Sequence, residues 1–337
     1  MGQNKTRLTD NRNELGQKTP LKQPYVLLID PSNLCNLRCC FCPSGNIELI
    51  KSTKRIQTMM DFKLYQKIID DTSEFESPIK VLRLYKEGEP LINPNFADMI
   101  QYAKSSKNIL RVDTTTNGIL LNPELNRKIV AAGLDQINIS VNGINEEQIY
   151  KYCHVKIDFK QYVQNIRDLY ENRNGCEIYI KSIKENLSEE EQQKFHEIFG
   201  EISDRIFLER ISPAWPGFKF DNLEMKFETG NYGQAIEDRT VCPYLFYIMV
   251  VNSDGQVTTC VGDWRHRQIL GDTKKQSLKE IWYGEQMKSY WKNHLTGNKD
   301  VYEMCKCCEV IKYGCFDNID NEAKEILKRL NTEEYLY

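Results

Sequence analysis

The sequence predicts an α/β fold in which six strand–helix units in series are followed by a small C-terminal α+β unit. From about residue 24 to 210, short apolar runs alternate with amphipathic stretches, a pattern typical of βα units around a parallel sheet. After about residue 211 the alternation ends at the breaker-rich segment SPAWPGF, and a hairpin pattern follows. Six consecutive units form either an open doubly wound sheet or a partial (β/α)6 TIM-like barrel. In both, ligands bind where strands end and loops begin.

Each unit contributes a strand candidate, and helix candidates lie between the strands. The strands are predicted over 25–30, 79–84, 110–115, 136–141, 177–183 and 205–209. Several helix candidates follow an Asp, Asn or Ser that can cap the free amides of a first turn. They are predicted over 62–75, 95–106, 123–132, 159–173 and 188–201. In the C-terminal part, FYIMVVNSDGQVTTC predicts a hairpin that turns at Ser253, Asp254 and Gly255, and a helix is predicted from about 277 to 290.

The domain organisation follows from these changes of pattern. A chain of 337 residues is long enough to bury the core of one large domain with a small appendage. We expect an N-terminal extension over 1–23, a core over 24–210, a linker over 211–241, a small module over 242–320 and a C-terminal helix or tail over 321–337.

Composition and charge exclude several classes of function. The formal net charge is −3 and Lys and Glu are interspersed, so the chain lacks the basic stripe of a nucleic-acid-binding protein. No apolar run approaches the ~20 residues that span a bilayer, and the N-terminal residues are too polar for a secretory signal. We therefore expect a cytoplasmic protein with no nucleic-acid partner and no membrane partner.

The twelve cysteines are too few for a disulfide scaffold in a chain of this length and too clustered for ordinary core positions. In a reducing compartment such clusters indicate metal. The first cluster, PSNLCNLRCCFCPSG, places Cys35, Cys39 and Cys42 in the loop after the first strand. Three thiolates leave one position of a metal site open, as catalytic metal sites do. A zinc knuckle with Cys40 as fourth ligand is the alternative, although neighbouring residues rarely point at one metal.

This cluster resembles the signature of the radical S-adenosylmethionine (SAM) superfamily, in which an aromatic residue, here Phe41, precedes the last of three cysteines at this spacing. The resemblance covers about residues 24 to 210 and implies the partial-barrel form of the fold. It also implies that the three cysteines bind a [4Fe-4S] cluster whose open iron is chelated by SAM. Reductive cleavage of SAM would then yield methionine and a 5'-deoxyadenosyl radical, with an electron donor such as flavodoxin or ferredoxin as partner.

Further SAM-binding residues follow from the same resemblance. In KEGEPL, after the second strand, Gly88, Glu89 and Pro90 match the latter part of the family's GGEP element, which binds the SAM ammonium, while Glu87 replaces its first glycine. Side chains two residues apart at the end of the fourth strand point to one side of the sheet and suit the ribose hydroxyls, as in relatives. Inside a barrel, a lysine of the fifth strand would meet the SAM carboxylate; at a sheet edge it would reach solvent. The candidates at the ends of strands three to five are Thr115, Asn117, Ser140, Asn142 and Lys181.

The C-terminal cysteines form a second group: Cys242, then Cys260 after the hairpin, then Cys305 and Cys308 as a CxxC pair. Four thiolates can fully ligate an iron–sulfur cluster or a zinc ion, and spacing alone does not choose between them. The arrangement resembles the SPASM module, or its shorter twitch form, which follows many radical SAM cores. The resemblance implies one auxiliary [4Fe-4S] cluster.

The expected reaction begins with abstraction of a hydrogen atom from an unactivated carbon of the substrate. Because a closed auxiliary cluster can accept an electron from a substrate radical, we expect a two-electron oxidation, with Asp263 and Glu209 as candidate proton acceptors. Peptide-modifying relatives often carry a leader-binding domain where this chain has only about 24 residues, which favours a small hydroxylated, sugar-like substrate. Two alternatives stay open: a peptide maturase that crosslinks or epimerises, and a non-catalytic iron–sulfur or zinc scaffold.

Overall fold

One mixed sheet organises the molecule. The computed structural model describes residues 2–6, 8, 14–219 and 227–332, so parts of the predicted extension, linker and tail lie outside the described residues. The strands of the described part are β1 (Gln3–Asn4), β2 (Val26–Ile29), β3 (Val81–Leu84), β4 (Val112–Thr116), β5 (Gln136–Ser140), β6 (Glu177–Ile183), β7 (Arg205–Glu209), β8 (Ile248–Val251), β9 (Gln256–Thr258) and β10 (Ile269–Asp272). Their order across the sheet is β1-β7-β6-β5-β4-β3-β2-β8-β9-β10.

Helices connect the parallel strands and cover the C-terminal part. Within the described ranges they are α1 (Leu15–Lys18), α2 (Ile47–Thr53), α3 (Phe62–Asp71), α4 (Phe96–Ser105), α5 (Pro123–Ala131), α6 (Glu146–Cys153), α7 (Phe159–Glu171), α8 (Glu189–Phe199), α9 (Leu278–Trp282), α10 (Glu285–Leu295), α11 (Glu303–Lys306), α12 (Val310–Tyr313) and α13 (Ala323–Leu330). Side chains of Asp61, Asn122 and Asp158 cap the first turns of α3, α5 and α7, and Ser188 forms a capping box with Glu191 at α8. In this part of the chain, no helix is both long and apolar enough to cross a bilayer.

The six predicted strand–helix units are present. Strands β2 to β7 are the six predicted strands, and each pairs in parallel with its neighbour in sequence. The predicted helices between them correspond to α3, α4, α5, α7 and α8. Because the sheet does not close on itself within the described residues, the units form a partial barrel. The short helices α2 and α6 are additional to the prediction, and both lie in loops that follow strand ends.

The C-terminal segment continues the barrel sheet instead of forming a separate one. Strand β8 pairs in parallel with β2, with Val26 opposite Ile248 and Ile29 opposite Val251. The predicted hairpin is present, since β8 and β9 are antiparallel neighbours. A contiguous core of buried apolar side chains includes residues of the barrel and of α9, α10 and α13. The two segments therefore share a sheet and a core, and the division of the chain at 210 and 242 stays a prediction.

The prediction of one continuous helix over 277–290 is wrong, because the structure has two helices there, α9 and α10. Gly284 separates the two helices and is extended, with ψ 152°. The resulting bend brings the rings of Trp282 and Trp291 edge to face at 5.3 Å in the core. Their indole N–H groups donate to the carbonyls of Leu21 and Leu245, so both tryptophans are buried with a hydrogen-bond partner.

Alternate residues of the barrel strands face either the helices or the barrel interior. Outward-facing residues such as Leu82, Ile137 and Ile180 are apolar and fully buried. Inward-facing residues of β3 to β7 are mostly polar and line two cavities, one at the amino ends and one at the carboxyl ends of the strands. The cavity at the carboxyl ends contains most of the predicted site residues.

Candidate active site

A cavity of about 310 Å³ lies at the carboxyl ends of β4 to β7, beside the loops that follow β2 and β3. It brings together residues that are far apart in the sequence. The predicted residues in its lining are Cys35, Cys39, Phe41, Cys42, Gly88, Glu89, Thr115, Asn117, Ser140, Asn142, Lys181 and Glu209. Of the residues predicted to bind SAM or accept a proton, Pro90 and Asp263 are not part of the lining. Pro90 begins a buried 3-10 turn directly behind Glu89.

Backbone hydrogen bonds shape the cysteine loop. The Cys42 amide donates to the Cys39 carbonyl at 3.2 Å, and the Gly45 amide donates to the Cys42 carbonyl at 2.9 Å. A Cβ at residue 45 would lie 2.2 Å from the Cys39 carbonyl oxygen, so only glycine allows this turn. Burial raises the pKa of the Cys35 thiol to about 12, so a bound metal must supply the positive charge that holds it as a thiolate. Three thiols around one cavity fit an iron–sulfur cluster with one open iron.

The fourth cysteine of the loop, Cys40, lies apart from the cavity. It is outside the cavity lining, and its amide donates to the Tyr152 carbonyl at 3.0 Å. Among the residues that the structure describes, no three His, Cys, Asp or Glu side chains converge closely enough to hold a single metal ion. The structure instead places Cys153 of α6 beside the loop, with its sulfur 3.5 Å from that of Cys39. No spacing pattern connects these two cysteines, so sequence reasoning missed this neighbour.

The Glu89 carboxylate is fixed by three hydrogen bonds. It accepts from the Thr116 hydroxyl at 2.6 Å, the Asn117 amide at 2.8 Å and the Leu91 amide at 3.1 Å. Burial raises the pKa of Glu89 to about 7, although these hydrogen bonds act in the opposite direction. A cation beside Glu89, such as an ammonium group, would favour its ionised form.

Gly88 brings the loop after β3 against the segment that leads to Cys35. A Cβ at residue 88 would lie 2.1 Å from the Ser32 carbonyl oxygen and 2.4 Å from that of Leu34. The Glu89 amide donates to the Leu34 carbonyl at 2.8 Å. The glycine therefore permits the close backbone approach that places Glu89 beside the cysteine loop.

Lys181 faces the barrel interior, as one of the two predictions for it requires, but its ammonium group is paired. Its Nζ lies 2.6 Å from Glu209 Oε2, and the Tyr179 hydroxyl lies 3.1 Å from Glu209 Oε1. Glu209 is 9% exposed, so this pair is largely shielded from solvent. Ser140 and Asn142 line the same cavity on the neighbouring strand and the loop after it. The arrangement offers one cation, one carboxylate and two short polar side chains to a bound molecule.

The four C-terminal cysteines meet around a second, apolar cavity. Cys242, Cys260, Cys305 and Cys308 line it together with Gln268, Leu245, Met304 and other residues. Burial, followed by the neighbouring thiols, raises the pKa of both Cys242 and Cys260. A mononuclear zinc site holds its sulfurs about 2.3 Å from one ion. Because these thiols surround a cavity without converging on a single-ion position, they fit the wider spacing of an iron–sulfur cluster.

Asp263 lies in the loop after Cys260, where it is fully buried. Its carboxylate accepts hydrogen bonds from the Arg267 amide at 3.1 Å and the Gln268 amide at 2.8 Å. It thus holds the turn of the loop and does not face the cavity at the carboxyl ends of the strands. This placement does not favour a role as proton acceptor, which stays a prediction. Eight residues that line the cavity were not candidates from the sequence, and the charged ones among them are Lys86 and Glu87.

Comparison with known proteins identifies both halves of this arrangement. The model of the Radical SAM superfamily matches residues 29–192, and the model of SPASM, an iron-sulfur cluster-binding domain, matches residues 242–309. The AdoMet-dependent heme synthase of Methanosarcina barkeri is 28% identical over 155 residues, which are 46% of this chain and 42% of that protein. The GTP 3',8-cyclase of Aquifex aeolicus is 31% identical over 140 residues, 41% of each chain. This chain thus spans about two fifths of the length of these relatives.

Solved structures show the same fold. BtrN in complex with AdoMet and 2-DOIA superposes with a TM-score of 0.53 at 16% identity, over 87% of this chain and 97% of that one. SuiB of Streptococcus suis bound to S-adenosylmethionine gives a TM-score of 0.61 at 15% identity, over 90% and 75% of the chains. Native anSMEcpe with bound AdoMet gives 0.59 at 16% identity, over 90% and 96%. The chain therefore belongs to the radical SAM superfamily, with a SPASM-type module at its C-terminal side, and its cofactors are SAM, a [4Fe-4S] cluster in the core and an auxiliary iron–sulfur cluster in the module.

Proposed function

We propose that this protein oxidises a small hydroxylated, sugar-like molecule by two electrons, in a reaction that begins with reductive cleavage of SAM. Cys35, Cys39 and Cys42 hold the SAM-binding cluster, and Cys242, Cys260, Cys305 and Cys308 hold the auxiliary one. When bound, the first cluster supplies the electron that splits SAM into methionine and a 5'-deoxyadenosyl radical, which takes a hydrogen atom from the substrate. The surrounding side chains orient SAM and exclude water from the radical.

The SAM-binding roles rest on the cavity lining. Glu89 offers carboxylate and carbonyl acceptors for the SAM ammonium beside the cysteine loop, and Ser140 and Asn142 offer partners for the ribose hydroxyls. Phe41, Thr115 and Asn117 complete the wall around the cofactor. Lys181 binds the SAM carboxylate, which competes with Glu209 for the Lys181 ammonium group.

The observation that carries the substrate assignment is the second cavity inside the barrel. It measures about 760 Å³ and lies at the amino ends of β3 to β7. Asn138 lines this cavity and donates to the Thr115 hydroxyl at 3.2 Å. One layer of side chains therefore separates this cavity from the one at the carboxyl ends of the strands, which we call the SAM cavity. Its lining supplies donors, acceptors and aromatic faces, which are the partners that a hydroxylated ring needs. These residues include Arg83, Arg111, Asp113, Gln136, Asn138, Glu177, Arg205, Tyr244, Tyr247 and Phe316.

Paired charges in this cavity favour a polar, uncharged or zwitterionic molecule over a strong anion. Arg111 lies 3.1 Å from Glu177, and Arg205 lies 2.5 Å from the same carboxylate. Arg83 lies 3.5 Å from Asp113. Because each guanidinium has a carboxylate partner, the cavity can exchange hydrogen bonds with hydroxyl groups without holding a large net charge.

Oxidation of an alcohol carbon to a carbonyl balances with these residues. The carbon loses a hydrogen atom, and the remaining hydroxyl must lose one proton and one electron as the C=O bond forms. Glu209 lines the cavity at the carboxyl ends of the strands, where the radical would form, so the reacting carbon must reach that cavity for Glu209 to take the proton. The four C-terminal thiols leave no open position, which suits their site to accepting an electron instead of binding substrate.

The test is anaerobic reconstitution with iron, sulfide, a chemical reductant and SAM, followed by incubation with a panel of amino sugars and cyclitols that carry deuterium on hydroxyl-bearing carbons. The proposal requires deuterium in 5'-deoxyadenosine and a product lighter by two hydrogens. Glu209→Gln should keep SAM cleavage and lose product, whereas Glu48→Gln, an exposed carboxylate on α2, serves as the matched control. Cleavage of SAM with no transfer from any member of the panel would refute the substrate class.

A peptide maturase is the second candidate. The fold also resembles SuiB bound to the precursor peptide SuiA, with a TM-score of 0.61, and anSMEcpe with bound AdoMet and Cp18Cys peptide, with a TM-score of 0.55. A peptide pool run beside the sugar panel distinguishes the two, since transfer of deuterium from a peptide would favour the maturase. A non-catalytic scaffold would release no 5'-deoxyadenosine in either reaction.

A further inference from the structure

Two charged residues of the loop after β3, Lys86 and Glu87, connect the SAM cavity with the C-terminal module. Both line the cavity, and their side chains are 0% exposed and form an ion pair at 2.7 Å. Glu87 stands where the family element has glycine, so a buried carboxylate occupies a position that carries no side chain in the family pattern. A buried charge is costly unless it is paired, so its partners indicate what it holds in place.

On the barrel side, Glu87 forms a fully shielded ion pair with Arg55, which follows α2. The same guanidinium lies 3.3 Å from the Ser44 hydroxyl, and Ser44 in turn hydrogen-bonds the Cys42 thiol. A further N–H of Arg55 donates to the Trp264 carbonyl at 2.7 Å. Arg55 therefore touches the cysteine loop, the Glu87 carboxylate and the module at once.

On the module side, Glu87 is bound by His266. The His266 Nε2 atom lies 3.1 Å from both carboxylate oxygens, and its side chain is 4% exposed. Lys86 Nζ lies 3.4 Å from the Asp263 carbonyl oxygen. Asp263 and His266 both belong to the loop that follows Cys260. The carboxylate of the active-site loop is thus tied to the loop that carries a ligand of the auxiliary site.

These partners keep Glu87 ionised. Burial alone would raise its pKa, but Lys86, His266 and Arg55 lower the pKa to about 2. The charge lies close to the cysteine loop, because Arg55 joins the Glu87 carboxylate to Ser44, two residues after Cys42. A fixed negative charge at this position stabilises the oxidised, less negative state of a nearby cluster.

We propose that Glu87 is a positioning residue: through Arg55 and His266, its buried carboxylate holds the loop after Cys260 against the SAM cavity and lowers the reduction potential of the cluster at Cys42. The inference rests on the ligand assignment of the proposed function, but not on its substrate. An ion pair with a purely structural role would leave the reduction potential unchanged. The two consequences are measured separately: the order of the loop after Cys260, and the reduction potential of the SAM-binding cluster.

Loop order is tested by hydrogen exchange of the reconstituted full-length protein. Glu87→Gln keeps the side-chain size and removes the charge, and His266→Leu removes only the contact on the module side. Both should accelerate exchange of amides in 260–268 by tenfold or more. The matched control is Asp135→Asn, which breaks a part-buried ion pair with Lys104 at 2.8 Å, on the far side of the barrel strands. Unchanged amide exchange in both test variants would overturn the positioning role. If Glu87→Gln does not fold, the result for His266→Leu decides.

The potential is tested by a redox titration monitored by electron paramagnetic resonance. Glu87→Gln should shift the reduction equilibrium of the SAM-binding cluster at least tenfold toward the reduced form, which is 59 mV for one electron. Arg55→Met should shift it in the opposite direction, since it removes a cation. The auxiliary cluster and the Asp135→Asn control should shift less. Equal potentials in wild type and Glu87→Gln would overturn the electrostatic half of the proposal, whereas a wild-type protein that binds no cluster would overturn the ligand assignment and leave the exchange result valid.

Discussion

Replacing Glu89 with alanine should weaken both the fold and SAM binding, because this carboxylate organises the wall of the cavity. Three donors lose their acceptor in the variant: the Leu91 amide, the Thr116 hydroxyl and the Asn117 amide. A buried donor left unpaired costs about 1–3 kcal/mol. Even at the lower limit, the three together cost about 3 kcal/mol, against a total stability of about 5–15 kcal/mol for a typical domain.

The expected loss of SAM affinity is smaller than the loss of stability. SAM makes one ammonium contact with this loop in our assignment, so the affinity should fall by about 1–3 kcal/mol, which is roughly 5- to 150-fold in Kd. Two measurements separate the effects: urea unfolding for the fold, and isothermal titration calorimetry of the reconstituted protein for SAM. Thr116→Val removes only one of the three donors and should cost about 1 kcal/mol in the first assay.

Glu89→Gln sharpens the test. Glutamine keeps one carbonyl oxygen, so it can still accept from part of the donor set, but its NH2 group must face the remaining donors. Its stability should lie between those of wild type and Glu89→Ala. If Glu89→Ala unfolds at the wild-type urea concentration and binds SAM with the wild-type Kd, the role assigned to this carboxylate is wrong.

Three further predictions follow from the two cysteine sites and from a buried carboxyl. Replacing Cys35, Cys39 and Cys42 together with Ala should remove about four irons and all SAM cleavage, while the iron of the auxiliary cluster remains. Iron analysis measures the first effect, and undiminished release of 5'-deoxyadenosine would refute the second. Replacing Cys305 and Cys308 should leave SAM cleavage slow and uncoupled, without oxidised product, provided that helicity and the first cluster's iron are retained; full product at the normal rate would show that the second cluster is scaffolding. Burial, and secondarily the charge of Glu87, raises the pKa of Asp30 from 3.8 to about 7, so the folded state binds more protons between these values. As the pH falls from 8 to 5, wild type should gain about 3 kcal/mol relative to Asp30→Asn in urea unfolding; a constant difference would contradict the shift.

The strand–helix units were predictable because their patterns are local. Most parallel strands are short segments with continuous or alternating apolar residues, and most are followed by a capped helix, so strand and helix periodicity show in neighbouring residues. The spacing of Cys35, Cys39 and Cys42 is local in the same sense. The shared orientation of Ser140 and Asn142 followed from strand alternation, and their assignment to the SAM ribose followed from the resemblance.

What the sequence did not reveal depends on contacts between distant segments. The pairing of Lys181 with Glu209 requires two adjacent strands in register, and the partners of Glu87 come from three separate loops. Asp263 illustrates the same limit: the sequence made it a candidate proton acceptor, and only the fold shows that its carboxylate accepts hydrogen bonds from the backbone of its own loop. Side-chain orientation in a loop follows from packing, which no periodicity encodes.

The pairing of β2 with β8 has a consequence for how the chain is made. The two strands are more than 200 residues apart in the sequence, and β8 lies against the edge of β2 that β3 leaves open. During synthesis, all six barrel units leave the ribosome before that edge can be filled, and β2 is the fully buried apolar run VLLI. An unpaired apolar edge is a template for association with other chains. We therefore expect overproduction to depend on chaperone capacity, and a chain that stops before residue 248 to accumulate in inclusion bodies.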